Sequence, residues 1–252
     1  MVERARSFGA IAAGYERFRP GYPEGLADRI MGYAGRPVRT ALEIGAGTGK
    51  ATRLLAARGV EVTATEPDAA MLDELRRRVP DSVRTVRAAF EELSLDRRYD
   101  LVLAAASLHW TRPEGRWERV AALLTEGGVF ASCGGPVRLA DPGVEAAVRA
   151  ARAGFLDDDE LPSPDGTAED AALRWPGTEM LASPLLTDVE QSVLPRRSMR
   201  SPDEWVGYLS TVSAYVVLPE AARREVLARI RAVLPDRAEV VSDVVLHLAR
   251  RR

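Results

Sequence analysis

The segment Leu42-Glu43-Ile44-Gly45-Ala46-Gly47-Thr48-Gly49 sets three glycines at alternate positions, two residues after an acid. Glycines so spaced permit positive φ and let a ligand approach the backbone, and a helix starting just beyond them offers unpaired N–H groups. Three ligand classes use such a loop. A phosphate-cradling loop reads Gly-x-x-x-x-Gly-Lys-Ser/Thr, but here Ile44 and Ala51 stand at the first and last of those positions. A dinucleotide fingerprint needs its third glycine where Lys50 stands, which argues against NAD. What remains is an acid, one spacer, then Gly-x-Gly-x-Gly. Glu66 follows Gly45 by 21 residues. At the tip of a second strand, its carboxylate can accept hydrogen bonds from both hydroxyls of a ribose, which selects adenosine-type ligands. An acid that only stabilises a helix N-terminus would look the same from sequence.

Other reactive side chains are few. The chain holds two histidines, His109 and His247, and one cysteine, Cys133. No disulfide framework, all-cysteine metal site or multi-histidine zinc site can be built from that set, so no metal is expected. His247 lies in an alternating strand and reads as structural, and Cys133 reads as a buried thiol.

The elements that must position these groups alternate. Arg39–Ile44, Val60–Thr65, Val83–Ala88, Tyr99–Ala105 and Val129–Cys133 read as strands; Thr48–Arg58, Pro67–Val79 and Glu114–Leu124 read as helices between them. Such alternation implies parallel pairing through βαβ crossovers, hence a doubly wound α/β sheet. After Gly134 the composition changes: residues 134–184 are rich in proline, carry the acidic run Asp157–Glu160, and hold one helix-like stretch, Val144–Phe155. Beyond it, Leu185–Val193 reads as a strand, Pro202–Tyr208 and Glu220–Leu234 as helices, and Glu239–Leu248 as one long final strand. We expect one domain: a helical cap (1–37), a cofactor-binding core (38–133), an inserted lid (134–184) and a C-terminal part completing the sheet (185–252).

With 252 residues, 37 acidic against 35 basic side chains and a net charge of −2, the chain can bury a large core but has no field to gather nucleic acid or acidic lipid. No nucleic-acid or membrane partner is expected. Charges interrupt Met1–Pro20 (Glu3, Arg4, Arg6, Glu16, Arg17 and Arg19), and no apolar run reaches the roughly 20 residues that span a bilayer. A cytoplasmic protein is expected; nothing in the pattern fixes its oligomeric state. Lys50 is the one lysine among the 35 basic residues, and it sits beside the glycine loop.

Taken in order, Leu42–Gly49, Glu66, Arg87–Leu93, Tyr99–Trp110 and Leu124–Phe130 resemble the class I S-adenosylmethionine-dependent methyltransferases. Tyr15–Pro23 looks like the capping segment of their small-molecule branch, which includes the trans-aconitate methyltransferases. The resemblance implies a mostly parallel seven-stranded sheet with a reversed last strand, S-adenosylmethionine as cofactor and S-adenosylhomocysteine as product. It implies that Gly45, Ala46, Gly47, Thr48 and Gly49 lie along the methionine part of the cofactor, with Glu43 towards its ammonium. Glu66 would hold the ribose, with Pro67 and Met71 beside it; Ala89 and Phe90 would border the adenine, and Ala104, Ala105 and Ala106 the sulfonium. Tyr15 and Arg19 would close over the cofactor, Arg19 on its carboxylate; helix packing and a surface ion pair read equally well for the two. Relatives often carry an acid near position 89 and a glutamine near 106; the alanines here leave those contacts to backbone and packing.

Methyl transfer from a sulfonium is an in-line displacement, so proximity, alignment and water exclusion can supply most of the catalysis. A carboxylate acceptor needs no base. For a hydroxyl acceptor the candidate base is His109, which with Trp110 could equally form a pocket wall. Trp175, Trp205, Tyr208 and Tyr215 could line an acceptor pocket or anchor the core. Asp157–Glu160 reads as a solvated loop, and Arg196, Arg197 and Arg200 as surface arginines that could meet an acidic acceptor. The expected activity is methyl transfer to an oxygen, carboxylate or hydroxyl, of a small molecule. The alternatives are a non-methylating cofactor-binding protein or biosynthetic cyclase on the same fold, then a peptide carboxylate methyltransferase; an NAD-dependent dehydrogenase is disfavoured by Lys50.

Overall fold

The computed structural model describes residues 12–156 and 163–252. The acidic run Asp157–Glu160 and the charges Glu3, Arg4 and Arg6 lie outside them. Alternating short apolar runs and amphipathic stretches resolve into β1 (Thr40–Ile44), α3 (Lys50–Ala56), β2 (Glu61–Thr65), α4 (Ala69–Arg78), β3 (Arg84–Val86), β4 (Tyr99–Ala105), α5 (Arg116–Leu123) and β5 (Leu124–Gly134). Two helices precede them, α1 (Ala12–Phe18) and α2 (Gly25–Ala34). Then follow β6 (Arg138–Leu139), α6 (Pro142–Arg152), α7 (Gly177–Ala182), β7 (Leu186–Leu194), β8 (Arg197–Arg200), α8 (Pro202–Leu209), α9 (Ser213–Val216), α10 (Glu220–Val233), β9 (Ala238–Val241) and β10 (Val244–Arg251).

The main sheet has seven strands in the order β3-β2-β1-β4-β5-β10-β7, with β10 antiparallel to both neighbours and the pairs from β3 to β5 parallel. The reversed strand is the last in sequence but next to the edge in the sheet. β1 and β4 are apolar on both faces because both are covered. Leu101 and Leu103 face α2, α3 and α4 through Ile30, Leu55 and Leu75, while Leu42, Val102 and Phe130 pack with Val120, Leu123 and Met180.

Two features differ from the sequence reading. The expected strand Glu239–Leu248 is two strands: β9 joins a three-stranded sheet, β6-β9-β8, and β10 enters the main one. The break falls at Ser242-Asp243, where the chain crosses Gly135 so closely that a Cβ there would lie 2.2 Å from the Asp243 carbonyl oxygen. Asp243 also turns outwards to accept from Arg196 N–H at 2.8 Å and to pair with Arg197. Only the polar pair Ser242-Asp243 interrupts the apolar residues on either side, so the sequence reads as one strand. Secondly, the 134–184 segment interweaves with the C-terminal part: β6 pairs with β9, and α6 packs on α10.

Gly49 has φ +86°, and a Cβ there would lie 2.6 Å from Leu75 Cδ1 and 2.9 Å from Val79 Cγ1. It lets α3 start hard against α4. Gly49→Ala therefore both overpacks this contact and strains the backbone; a loss of about 1–3 kcal/mol of stability is expected in urea unfolding.

Candidate functional site

A cavity of about 570 Å³ opens at the carboxyl ends of β1, β2, β4 and β5, where open α/β sheets bind ligands. Glu43, the penultimate residue of β1, is buried, its Oε2 accepting the Thr52 hydroxyl at 2.5 Å. Glu66 follows β2, buried, and accepts from Gly47 N–H at 2.9 Å and Asp68 N–H at 3.0 Å. The acid on the second strand thus holds the glycine loop in place, and two lone-pair positions of its carboxylate remain for a ligand. Helix α4 is capped by Asp68, which accepts from Ala70 and Met71 N–H, so Glu66 is not needed as that cap. Burial raises Glu43 to about 8 and Glu66 to about 7. Beside the glycine loop the cavity therefore holds two carboxyls that a cation or a pair of hydroxyl donors would ionise.

The loop itself is pressed against the turn after β4. Gly45 has φ +62°, a Cβ there would meet Ser107 Cβ at 2.8 Å, and the Ser107 hydroxyl donates to the Ile44 carbonyl. Gly47, Ala46 and Thr48 border the cavity with Tyr15 and Met71 close by. Pro67, Ala89, Phe90, Ala105 and Ala106 border it too, Ala106 with φ +54°. Two residues expected along the cofactor do not border the cavity: Gly49 faces α4 for the packing reason above, and Ala104 is fully buried in the core.

The cap closes over the loop through Glu16. Its carboxylate accepts the Thr48 hydroxyl at 2.6 Å and the Arg53 guanidinium at 2.9 Å, and Lys50 Nζ lies 3.3 Å from it while donating to its main-chain oxygen at 2.8 Å. Burial acts to raise Glu16, but Thr48, Lys50 and Arg53 together hold it below the ordinary range. Lys50 is thus a latch between cap and loop. Arg19 donates to the Thr211 hydroxyl and carbonyl at 2.9 and 3.0 Å and lies over the rings of Tyr15 and Tyr208. Arg19 borders the cavity, and no carboxylate pairs with it among the described residues.

His109 and Trp110 follow β4 in one turn, rings 4.7 Å apart, and both border the cavity. Burial, then the charges of Arg116 and Arg19, lower His109 to about 4, so it is neutral at physiological pH. Trp175, Trp205 and Tyr208 reach the cavity, but Tyr215 is fully buried with Val226 and Ile230 and does not border it. Arg196 borders the cavity; Arg197 pairs with Asp243 instead. Sequence reasoning passed over Tyr22, whose hydroxyl burial pushes well above its ordinary value, and the wall residue Arg174; His247, read as structural, also borders the cavity. Tyr22 was legible as part of the capping segment; Arg174 sits in irregular chain with no pattern to mark it. Among the described residues no cluster of metal-ligating side chains occurs, and no helix is long and apolar enough to cross a membrane.

Residues 42–130 match the family described as methyltransferase domain. Over 123 residues the chain is 42% identical to an uncharacterized methyltransferase of Mycobacterium tuberculosis, covering 48% of this chain and 49% of that one. Over 127 residues it is 32% identical to the malonyl-[acyl-carrier protein] O-methyltransferase of Anoxybacillus flavithermus, covering 49% of each. The chain thus spans about half the length of the curated relatives it matches. A solved structure from Anaeromyxobacter dehalogenans, a candidate type II methyltransferase, superposes with a TM-score of 0.68 at 27% identity, over 92% of this chain and 98% of that one.

Proposed function

We propose that this chain, whose residues 42–130 match a methyltransferase domain, is a class I S-adenosylmethionine-dependent methyltransferase that transfers a methyl group to an oxygen, carboxylate or hydroxyl, of a small-molecule acceptor. The observation that carries the reading is one cavity bordered by Glu43, Glu66 and the glycine loop at β1 and β2 and, further along the strand order, by Ala105, Ala106, Ser132 and Gly134 at β4 and β5. Its volume lies in the range of small-molecule sites. The cofactor supplies a methyl on a positively charged sulfur. The chain's own part is to hold that methyl in line with the acceptor and keep water out, which needs few polar side chains. Glu66 would take the ribose hydroxyls, Glu43 the ammonium side, Arg19 the carboxylate, and Phe90 a face of the adenine. The oxygen acceptor finds support in the O-methyltransferase named among the relatives.

Calorimetry with S-adenosylmethionine and with NAD tests the cofactor: the first should bind and the second should not. Transfer of labelled methyl into metabolites of a cell extract tests the chemistry. The lack of a polar side chain at Ala105 and Ala106 favours a second reading, a cofactor-binding protein that transfers no methyl. Binding without any labelled product would select it.

His109 borders the cavity and is neutral at physiological pH; the burial that keeps it neutral also weakens it as a base, and its place in the cavity makes it the proposed base for a hydroxyl acceptor. His109→Asn should lower turnover of such an acceptor about 100-fold or more with cofactor affinity retained; full activity would make the ring a wall.

A further inference from the structure

Beyond Ala105 the cavity reaches a second polar corner with no part in holding the cofactor. His247 of β10 pairs across with Ser132 of β5, and Ser132 with Ala104 of β4. Two strand spacings, about 10 Å, thus separate His247 from the strand that delivers Ala105. His247, Ser132 and Arg174 all border the cavity.

Gln191 of β7 builds the corner. Its Oε1 accepts Arg174 N–H at 2.8 Å and its Nε2 donates to the Ala172 carbonyl at 3.2 Å, so backbone partners set which way the amide faces. Oε1 also takes the Nε2–H of His247 at 2.8 Å, which leaves Nδ1 of that ring as an acceptor. The cations around the cavity are mostly engaged: Arg19 by Thr211, Lys50 by Glu16, Arg138 by Glu169 and Arg196 by the Gly21 carbonyl. Arg174 differs. Its guanidinium has no hydrogen-bond or ion-pair partner among the described residues, and its Nε is buried. Glu169, the acid that feels its charge, is already bound to Arg138 at 2.6 Å.

We propose that this corner takes the non-reacting end of the methyl acceptor and that this end is an oxyanion, a carboxylate or a phosphate, gripped by Arg174 and flanked by His247. The proposal rests on the methyltransferase reading. A planar guanidinium left without an acceptor inside a cavity matches two oxygens of one such group. Placed about two strand spacings from the methyl, it would fix a small acceptor at one end while presenting the other to the cofactor.

The test uses the full chain saturated with S-adenosylhomocysteine, titrated calorimetrically with succinate, citrate and glycerol 3-phosphate, and with glycerol as the uncharged control. At least one anion should bind saturably and glycerol should not; which anion binds separates carboxylate from phosphate. Arg174→Gln should weaken that binding tenfold or more while S-adenosylhomocysteine affinity stays within twofold, which also shows the variant folded. A second readout follows from the composition: two histidines give two ring resonances by NMR. Burial and the charge of Arg174 hold His247 at about 4; a bound anion should raise that midpoint by a pH unit or more in the wild type and leave it unmoved in Arg174→Gln. If no anion binds, or if Arg174→Gln binds them equally well, the proposal is wrong. If S-adenosylhomocysteine fails to bind the wild type, the methyltransferase reading itself falls and takes the proposal with it.

Discussion

Replacing Glu66 with alanine is expected to weaken S-adenosylmethionine binding by a factor of about 100 to 10,000. That range follows from two proposed hydrogen bonds between ribose hydroxyls and a charged acceptor, at about 1.5–3 kcal/mol each. The structure gives a reason to expect more than those two bonds. The same carboxylate accepts from Gly47 and Asp68 N–H, so alanine leaves two donors without their partner and frees the loop that must fit the cofactor. Glu66→Gln separates the contributions: its amide oxygen still accepts one of the two bonds, while its NH₂ faces the other donor. Calorimetry should therefore rank wild type, glutamine and alanine in falling affinity, with glutamine well below wild type. Equal affinity in all three would show that the ribose is held elsewhere.

The contrast between what sequence reveals and what it hides falls along the sheet. From β1 to β5 each element reads directly, because parallel strands covered on both faces are continuous apolar runs and the helices between them keep a helical period. Glu43, the glycines and Glu66 are legible for the same reason: backbone geometry at a strand-to-helix turn admits few residue types, so type and spacing carry the information. Gly49 shows the limit. The same conformational need that marks it as a loop glycine is met by packing against Leu75 and Val79, not by a ligand. Lys50 was informative only as a residue that breaks two other motifs; that it latches the cap through Glu16 depends on a contact across 34 residues of chain. The break between β9 and β10, the three-stranded sheet, and the meeting of Arg174, Gln191 and His247 are likewise products of long-range placement, with no local period to announce them.

The pair Glu43 and Glu66 yields the second large effect, a pH dependence with a definite sign. With Glu43 raised to about 8 and Glu66 to about 7, mainly by burial, both are largely protonated in the cofactor-free protein at pH 6 and largely ionised only above pH 8. Proposed contacts to an ammonium and to ribose hydroxyls favour the ionised forms, so binding expels protons below pH 8. S-adenosylmethionine affinity should then rise with pH, by about tenfold to a hundredfold between pH 6 and 8.5, and level off above. The stability of the cofactor-free protein should run the opposite way. A carboxyl whose folded pKa lies above its unfolded one contributes stability that is complete below about pH 4.5 and lost as pH rises through 7 to 8. The melting temperature of the free protein should thus fall from pH 5.5 to 8.5, by an amount set by a few kcal/mol, while the rise in melting temperature on adding cofactor grows over the same window. Glu43→Gln keeps the hydrogen bond with Thr52 possible and removes the ionisation, so it should flatten most of both slopes. Thermal melts at pH 5.5, 7 and 8.5, with and without cofactor, read the two together. A cofactor-induced shift independent of pH, or a Glu43→Gln profile parallel to wild type, would mean that these carboxyls do not change charge when the cofactor binds.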